Sequence, residues 1–305
     1  MNRLLGYCIP TYNRRDSLKV ILKSLLSQIK SYEIPIYISD NASEDGTEDM
    51  VKDLQREYPF IFYKKQEFNK GIDINMLDVI QMADTKYAWL LGDDDIVIKK
   101  GLEYIYNLLK RDGDLSLILF NGYEVDLSKS IYKYVWDADI IGDFYYSDCR
   151  FLFKRIFYKL PHFANLIINI DKIKDININP ERFIGTYHAY IGLTLDFLGE
   201  EFLKYGENKI LTISKPMIYL GSMGVKKTWI NDQSKIILLG IPELFRKIHI
   251  IYKPYVREYL VYIGEHTLEQ FQVSLYFLSG KSIETLTFLI LLIYLNIFPL
   301  IKKSF

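Results

Sequence analysis

The chain has 305 residues, half of them hydrophobic, enough for one large domain or two small ones around a proper core. Lys plus Arg (38) balances Asp plus Glu (38), so the formal net charge is zero and the basic face of a nucleic-acid binder is not expected. The two cysteines, Cys8 and Cys149, lack metal-ligand spacing and argue for a reducing compartment without a disulfide framework. After Met1-Asn2-Arg3 the run LLGYCIP is too short for the apolar stretch of a signal peptide and reads as a first strand.

In chain order, residues 4–9 (LLGYCI) form an apolar strand that Pro10 is expected to end. RRDSLKVILKSLLSQIKS follows, with apolar residues at 18, 21, 22, 25, 26 and 29, the stripe of an amphipathic helix. IPIYIS (34–39) is a second strand, closed by the turn cluster DNASEDGT. TEDMVKDLQREY makes a helix whose acidic first turn suits the macrodipole. A third strand is expected at 60–65, a helix at 74–83, a fourth strand at 86–91, a helix at 99–111 and a fifth strand at 115–120. Strands alternating with helices imply an α/β fold with a doubly wound, mostly parallel sheet.

In such sheets ligands bind beyond the carboxyl ends of the strands. That rim receives Pro10-Thr11-Tyr12-Asn13, Asp40-Asn41, Asn69-Lys70-Gly71 and Asp93-Asp94-Asp95. It lacks G-x-G-x-x-G and G-x-x-x-x-G-K-[ST], which disfavours a Rossmann dinucleotide site and a P-loop. The stretch WLLGDDDIV (89–97) sets three carboxylates in a row between apolar residues, where mutual repulsion and desolvation both oppose ionisation. A solvated acidic turn is one reading and a divalent-cation site the other.

Taken together, CIPTYNRRDSLKVILKSLLSQ, ISDNASEDGT, NKGIDIN and WLLGDDD resemble, in order and spacing, the family-2 glycosyltransferases of the GT-A fold, across about residues 4–120. The L-G-D-D-D form is similar to the abequosyltransferase-like subgroup acting on bacterial O-antigen or capsule repeat units. The resemblance implies transfer of a sugar from a nucleotide-sugar donor with inversion, on Mn²⁺ or Mg²⁺. A hard cation wants carboxylate oxygens and offsets charge on the diphosphate leaving group, whose oxygens and waters complete its shell. By position the resemblance sets Asp93 or Asp94 near the ribose, Asp95 on the metal with Asp93 as a second ligand, and Asp40 on the base. Pro10, Thr11 and Tyr12 are implied around the base and Arg14 at a phosphate. Asn69, Gly71, Asp73 and Asn75 are implied in the loop closing the nucleotide pocket. A turn start is the lesser alternative for Asp40, Tyr12 can pack, and Asp73 can simply start the third helix. Asp45-Gly46-Thr47 is expected to shape its turn and cap the next helix.

An inverting transferase needs a base for the acceptor hydroxyl. The family's acidic pair at a helix start is absent from ERFIGTYHAYIGLTLDFLGEE (181–201). Thr186 is expected to cap a helix beginning near Tyr187, with His188 in its first turn as the candidate base. Glu181 and Asp196 are its rivals, and a structural histidine is the alternative. A nucleotidyltransferase and an inactive GT-A-like scaffold are the competing functions.

The expected division is a catalytic domain over 1–220, with nucleotide-sugar binding in 1–120 and an acceptor region in 121–220. A lid loop and helical C-terminal region follow over 221–305. GSMGVKKTWI (221–230) can bring Lys226 and Lys227 toward a diphosphate or remain a plain surface loop. Residues 241–281 read as amphipathic helices. TLTFLILLIYLNIFPLI (285–301) carries no charge, ends at Lys302-Lys303, and contains Asn296 and Pro299. It is short for a bilayer span and is expected to lie on the cytoplasmic leaflet or pack against the domain or a second copy as a homo-oligomer. Membrane contact, peripheral and on the inner face, fits the implied polyprenyl-diphosphate-linked saccharide acceptor.

Overall fold

The computed structural model describes residues 3–29, 32–126, 131–135, 142–156, 162–221 and 240–256. Most of the expected 221–230 loop and the whole 257–305 tail lie outside the described residues.

A single mixed sheet organises the chain, in the order β3-β2-β1-β4-β9-β6-β10-β5. Its strands are β1 (Arg3–Thr11), β2 (Ile36–Asp40), β3 (Ile61–Lys65), β4 (Thr85–Leu90), β5 (Ile96–Val97), β6 (Leu117–Asp126), β7 (Ile131–Tyr134), β8 (Phe144–Tyr146), β9 (Leu166–Asn169) and β10 (Ile210–Leu220). β1 to β4 are mutually parallel, as are β6 and β10. β9 runs antiparallel between β4 and β6 and joins the two parallel sets. β7 flanks β6, and β8 flanks β10.

Helices cover both faces. α1 (Arg15–Ile29), α2 (Thr47–Glu57) and α4 (Gly101–Arg111) share one core with Tyr7, Ile9, Trp89 and Phe120. α3 (Ile72–Gln81), α5 (Cys149–Ile156), the short α6 (Ile170–Lys174), α7 (Ala189–Tyr205) and α8 (Ile241–Lys247) share the other with Cys8, Leu90 and Leu119. The predicted α1 stripe at 18, 21, 22, 25, 26 and 29 is buried throughout. Burying each such side chain is worth about 1.5–3 kcal/mol, which is what fastens α1 to the sheet.

β1 does not stop at Pro10 but continues to Thr11, with Pro10 opposite Ser39 of β2. Odd-numbered residues of β1 bond toward β2, as Asn41 N to Thr11 O shows. The missing N–H of Pro10 therefore faces β4, beyond the last β1–β4 pair, Cys8 with Leu90. A proline costs no ladder bond where the neighbouring ladder has already ended. β9 was not expected. Its four residues, LIIN, are wholly buried, and Asn165 and Asn169 fasten it by donating from Nδ2 to Phe120 O (2.8 Å) and Leu115 O (2.9 Å).

Candidate active site

The parallel register sets Thr11, Asp40 and Lys65 abreast at the carboxyl ends of β1, β2 and β3. β4 delivers Gly92 and the acidic triplet alongside them. Thr11 Oγ1 donates to Asp93 Oδ2 at 2.8 Å. Arg14, on the turn into α1, directs a single nitrogen at two acids: Nη1 lies 3.1 Å from Asp93 Oδ1 and 3.0 Å from Asp94 Oδ2. Two carboxylate oxygens from adjacent residues thus converge on one cationic atom at the rim.

Asp95 takes different partners. Its Oδ2 accepts from Gly92 N (3.0 Å) and its Oδ1 from Gly221 N (2.9 Å), just past the end of β10. Both oxygens are engaged by backbone amides, and the residue is buried. Burial pushes the Asp93 carboxyl up to about 6; Arg14 opposes that shift and Asp94 adds to it. Asp95 is likewise raised by burial, then by the Asp94 charge.

Asp40 is fully enclosed: Oδ1 accepts from Ser43 N (2.8 Å) and Oδ2 from the Tyr63 hydroxyl (2.5 Å). It closes its turn and holds Tyr63, whose phenol is pushed up by burial and by this bond. Asp45 shapes the next turn as expected, taking Arg15 N on Oδ2 and Thr47 N and Oγ1 on Oδ1. Tyr12 is 43% exposed on the rim. Asn69 Oδ1 accepts from Asn41 Nδ2 (2.8 Å) and Gly71 N (2.9 Å), fixing the loop before α3. Asn75 Nδ2 reaches Thr11 O at 3.3 Å, while its buried Oδ1 has no hydrogen-bond partner. Asp73, one of the residues implied for the donor pocket, turns instead to the loop before α7, described below.

The sequence pattern of the family described as Glycosyl transferase family 2 matches residues 7–165, more than half of the chain, and spans this rim. The chain belongs to that family. It is 30% identical to abequosyltransferase RfbV of Salmonella typhimurium over 201 residues, 62% of this chain and 59% of that protein. It is 25% identical to the GalNAc(5)-diNAcBac-PP-undecaprenol beta-1,3-glucosyltransferase of Campylobacter jejuni over 126 residues, 37% of this chain and 40% of that one. The fold is similar to that of residues 1–349 of Staphylococcus aureus TarS in complex with UDP, with a TM-score of 0.58 and 17% identity. That match covers 80% of this chain and 65% of that one. The chain therefore spans less than two thirds of the length of each of these three proteins.

The second half of this family-2 chain differs from expectation at the start of α7. The helix begins at Ala189 with His188 as its N-cap residue, two positions later than predicted. Thr186 does not cap it: Thr186 Oγ1 accepts from His188 N and donates to Phe183 O. The first helical N–H, Ala189 N, goes to Asp73 Oδ1. His188 is buried, its Nε2 has no hydrogen-bond partner, and burial lowers its pKa to about 4. Of its rivals, Glu181 is exposed on a 3-10 turn. Asp196 lies two turns along α7, buried and ion-paired to Arg182, and raised to about 6 by burial.

The carboxylates fit a divalent cation at Asp93 and Asp94, because their oxygens already share a positive partner. Among the described residues no group of three or more His, Cys, Asp or Glu is placed to hold a metal alone. The donor set is thus one that a diphosphate and waters would have to complete. No helix among the described residues is long and apolar enough to cross a membrane.

Proposed function

We propose that this family-2 glycosyltransferase is an inverting, divalent-metal-dependent enzyme. It moves a sugar from a nucleoside-diphosphate donor to a saccharide acceptor in bacterial surface-polysaccharide synthesis. The observation that carries the reading is the convergence of Asp93 and Asp94 on one cationic nitrogen at the strand ends. Asp93 and Asp94 would hold Mn²⁺ or Mg²⁺ there, and the cation would supply charge to offset that developing on the leaving diphosphate. Asp94, the more exposed acid, would be the principal ligand and Asp93 the second, in place of Asp95, whose oxygens serve Gly92 and Gly221. Arg14, released from the acids, turns to a phosphate oxygen. Thr11 and Tyr12 flank the nucleotide, and Asp40 receives the base once Tyr63 moves aside.

His188 takes the acceptor proton on Nε2 as the hydroxyl oxygen bonds to the anomeric carbon and the bond to the diphosphate breaks. Its lowered pKa keeps the imidazole unprotonated at neutral pH. The position of α7 supports the assignment, since α3 and α7 pack together and α3 starts at the rim. A lipid-linked acceptor at the cytoplasmic leaflet fits the lipid-linked acceptor named for the Campylobacter relative and the uncharged run at 285–301.

A thermal-shift screen of UDP, dTDP, CDP and GDP with and without Mn²⁺ tests the class. One nucleotide should give a metal-dependent shift that Asp94→Asn abolishes and Asp95→Asn leaves in place. A shift with no nucleotide under either condition would refute the reading.

A further inference from the structure

Asp73 stands in the first turn of α3, yet its carboxylate leaves that helix. Oδ2 accepts from Gly185 N and Tyr187 N, and Oδ1 from Ala189 N, each at 2.9 Å. Gly185 (φ 89°) and Tyr187 (φ 61°) both lie in the left-handed region. Such turns aim successive amides to one side and build a concave seat for an anion. The seat opens at the start of α7, where the helix dipole adds positive potential. A tyrosine keeps a left-handed backbone only when its surroundings over-determine it. Here the surroundings are Asp73 on one side and Gly240 on the other. A Cβ at Gly240 would fall 2.3 Å from Thr186 O, so the chain entering α8 is pressed against the same loop.

The near side of the same helical turn belongs to the donor rim. Asn69 and Gly71 immediately precede it, and Asn75 follows with its bond to Thr11 O. Burial raises the Asp73 carboxyl while the three amides oppose that shift. Both oxygens of this buried acid are already engaged by backbone amides.

We propose that Asp73 is a positioning residue of the transfer step: by holding the backbone of 185–189 it places His188 against the donor, and it adds nothing to nucleotide affinity. The inference rests on the His188 reading for what the loop delivers, and on the three amide contacts for the clamp itself.

The test uses the full chain with Mn²⁺ and UDP-glucose, dTDP-glucose, CDP-glucose and GDP-mannose, read as released nucleoside diphosphate on the best of the four. Wild type, Asp73→Asn and His188→Ala are compared for kcat, donor KM, melting temperature and nucleoside-diphosphate thermal shift. Asp73→Asn replaces one acceptor oxygen with an NH₂ facing an N–H. A displacement of about 1 Å at a reacting group costs on the order of 100-fold in rate. The expected result is therefore a kcat reduced by about 30- to 100-fold, with donor KM and nucleotide shift retained.

Raised donor KM and a lost nucleotide shift with kcat preserved would make Asp73 a donor ligand and overturn the proposal. A lowered melting temperature with unchanged kcat would make it structural only and overturn it as well. Should kcat fall in Asp73→Asn but not in His188→Ala, the base assignment fails and the clamp stands. The reverse pattern sinks the clamp and spares the base. If Asp73→Asn does not fold, Asp73→Ser, which keeps one acceptor oxygen, carries the same comparison.

Discussion

Acidification should unfold this protein partly through His188. Burial lowers its pKa to about 4 in the folded chain, against about 6.5 for a solvated histidine in the unfolded one. A group whose folded pKa is depressed contributes stability that is complete above the unfolded value and is lost as pH falls through the folded one. The window therefore runs from about pH 6.5 down to pH 4. With these values the unfolded chain gains a proton that the folded chain refuses, and the loss between pH 7 and pH 5 is about 2 kcal/mol, rising to about 3 near pH 4. Urea unfolding of wild type and His188→Gln at pH 7.5, 6, 5 and 4.5 isolates the contribution. The wild-type curve should fall more steeply by that amount, because glutamine fills the site without titrating. Parallel curves would show that the imidazole is not held neutral by burial and would remove the protonation state on which its proposed role as a base depends.

Three further outcomes follow from the same geometry. Gly240→Ala should lose about 1–2 kcal/mol in urea unfolding, because contact with Thr186 O outweighs the modest gain from a stiffer unfolded chain; a stabilised variant would mean that α8 does not press on the loop. Asp95→Ala should lower the melting temperature with or without Mn²⁺, since it strands the Gly92 and Gly221 amides at a cost of about 2 kcal/mol or more, and an unchanged melting temperature would show that Asp95 does not brace those two amides. Tyr63→Phe removes the hydroxyl bonded to Asp40 and should cost about 1–2 kcal/mol in stability. It should also tighten nucleoside-diphosphate binding in a titration, whereas an unaltered affinity would separate Asp40 from the base.

Much of the first half was legible because its signals are local. The α1 stripe repeats every three or four residues, the strands are short apolar runs between turn clusters, and each turn carries its own Asp, Asn or Gly. The second half gave less. LIIN at 166–169 is too short to declare itself strand or helix, and only its neighbours β4 and β6 decide that it completes the sheet. The start of α7 was misplaced for a related reason. Thr186 is a good capping residue by type, but an acid on α3 had already taken the first amide.

The sequence by itself determined the alternation of strands and helices, the rim that collects residues 10–13, 40–41, 69–71 and 93–95, and the family those residues announce. Only the tertiary structure decided which partners each acid takes. Asp93, Asp94 and Asp95 are chemically alike and adjacent, so their order says nothing about direction. Direction comes from Thr11 and Arg14 on one side and the Gly221 amide on the other, 126 residues from Asp95. Asp73 and His188 tell the same story. An acid at a helix start and a histidine before another are ordinary local features, and packing α3 against α7 is what brings Asp73 to the amide that follows His188.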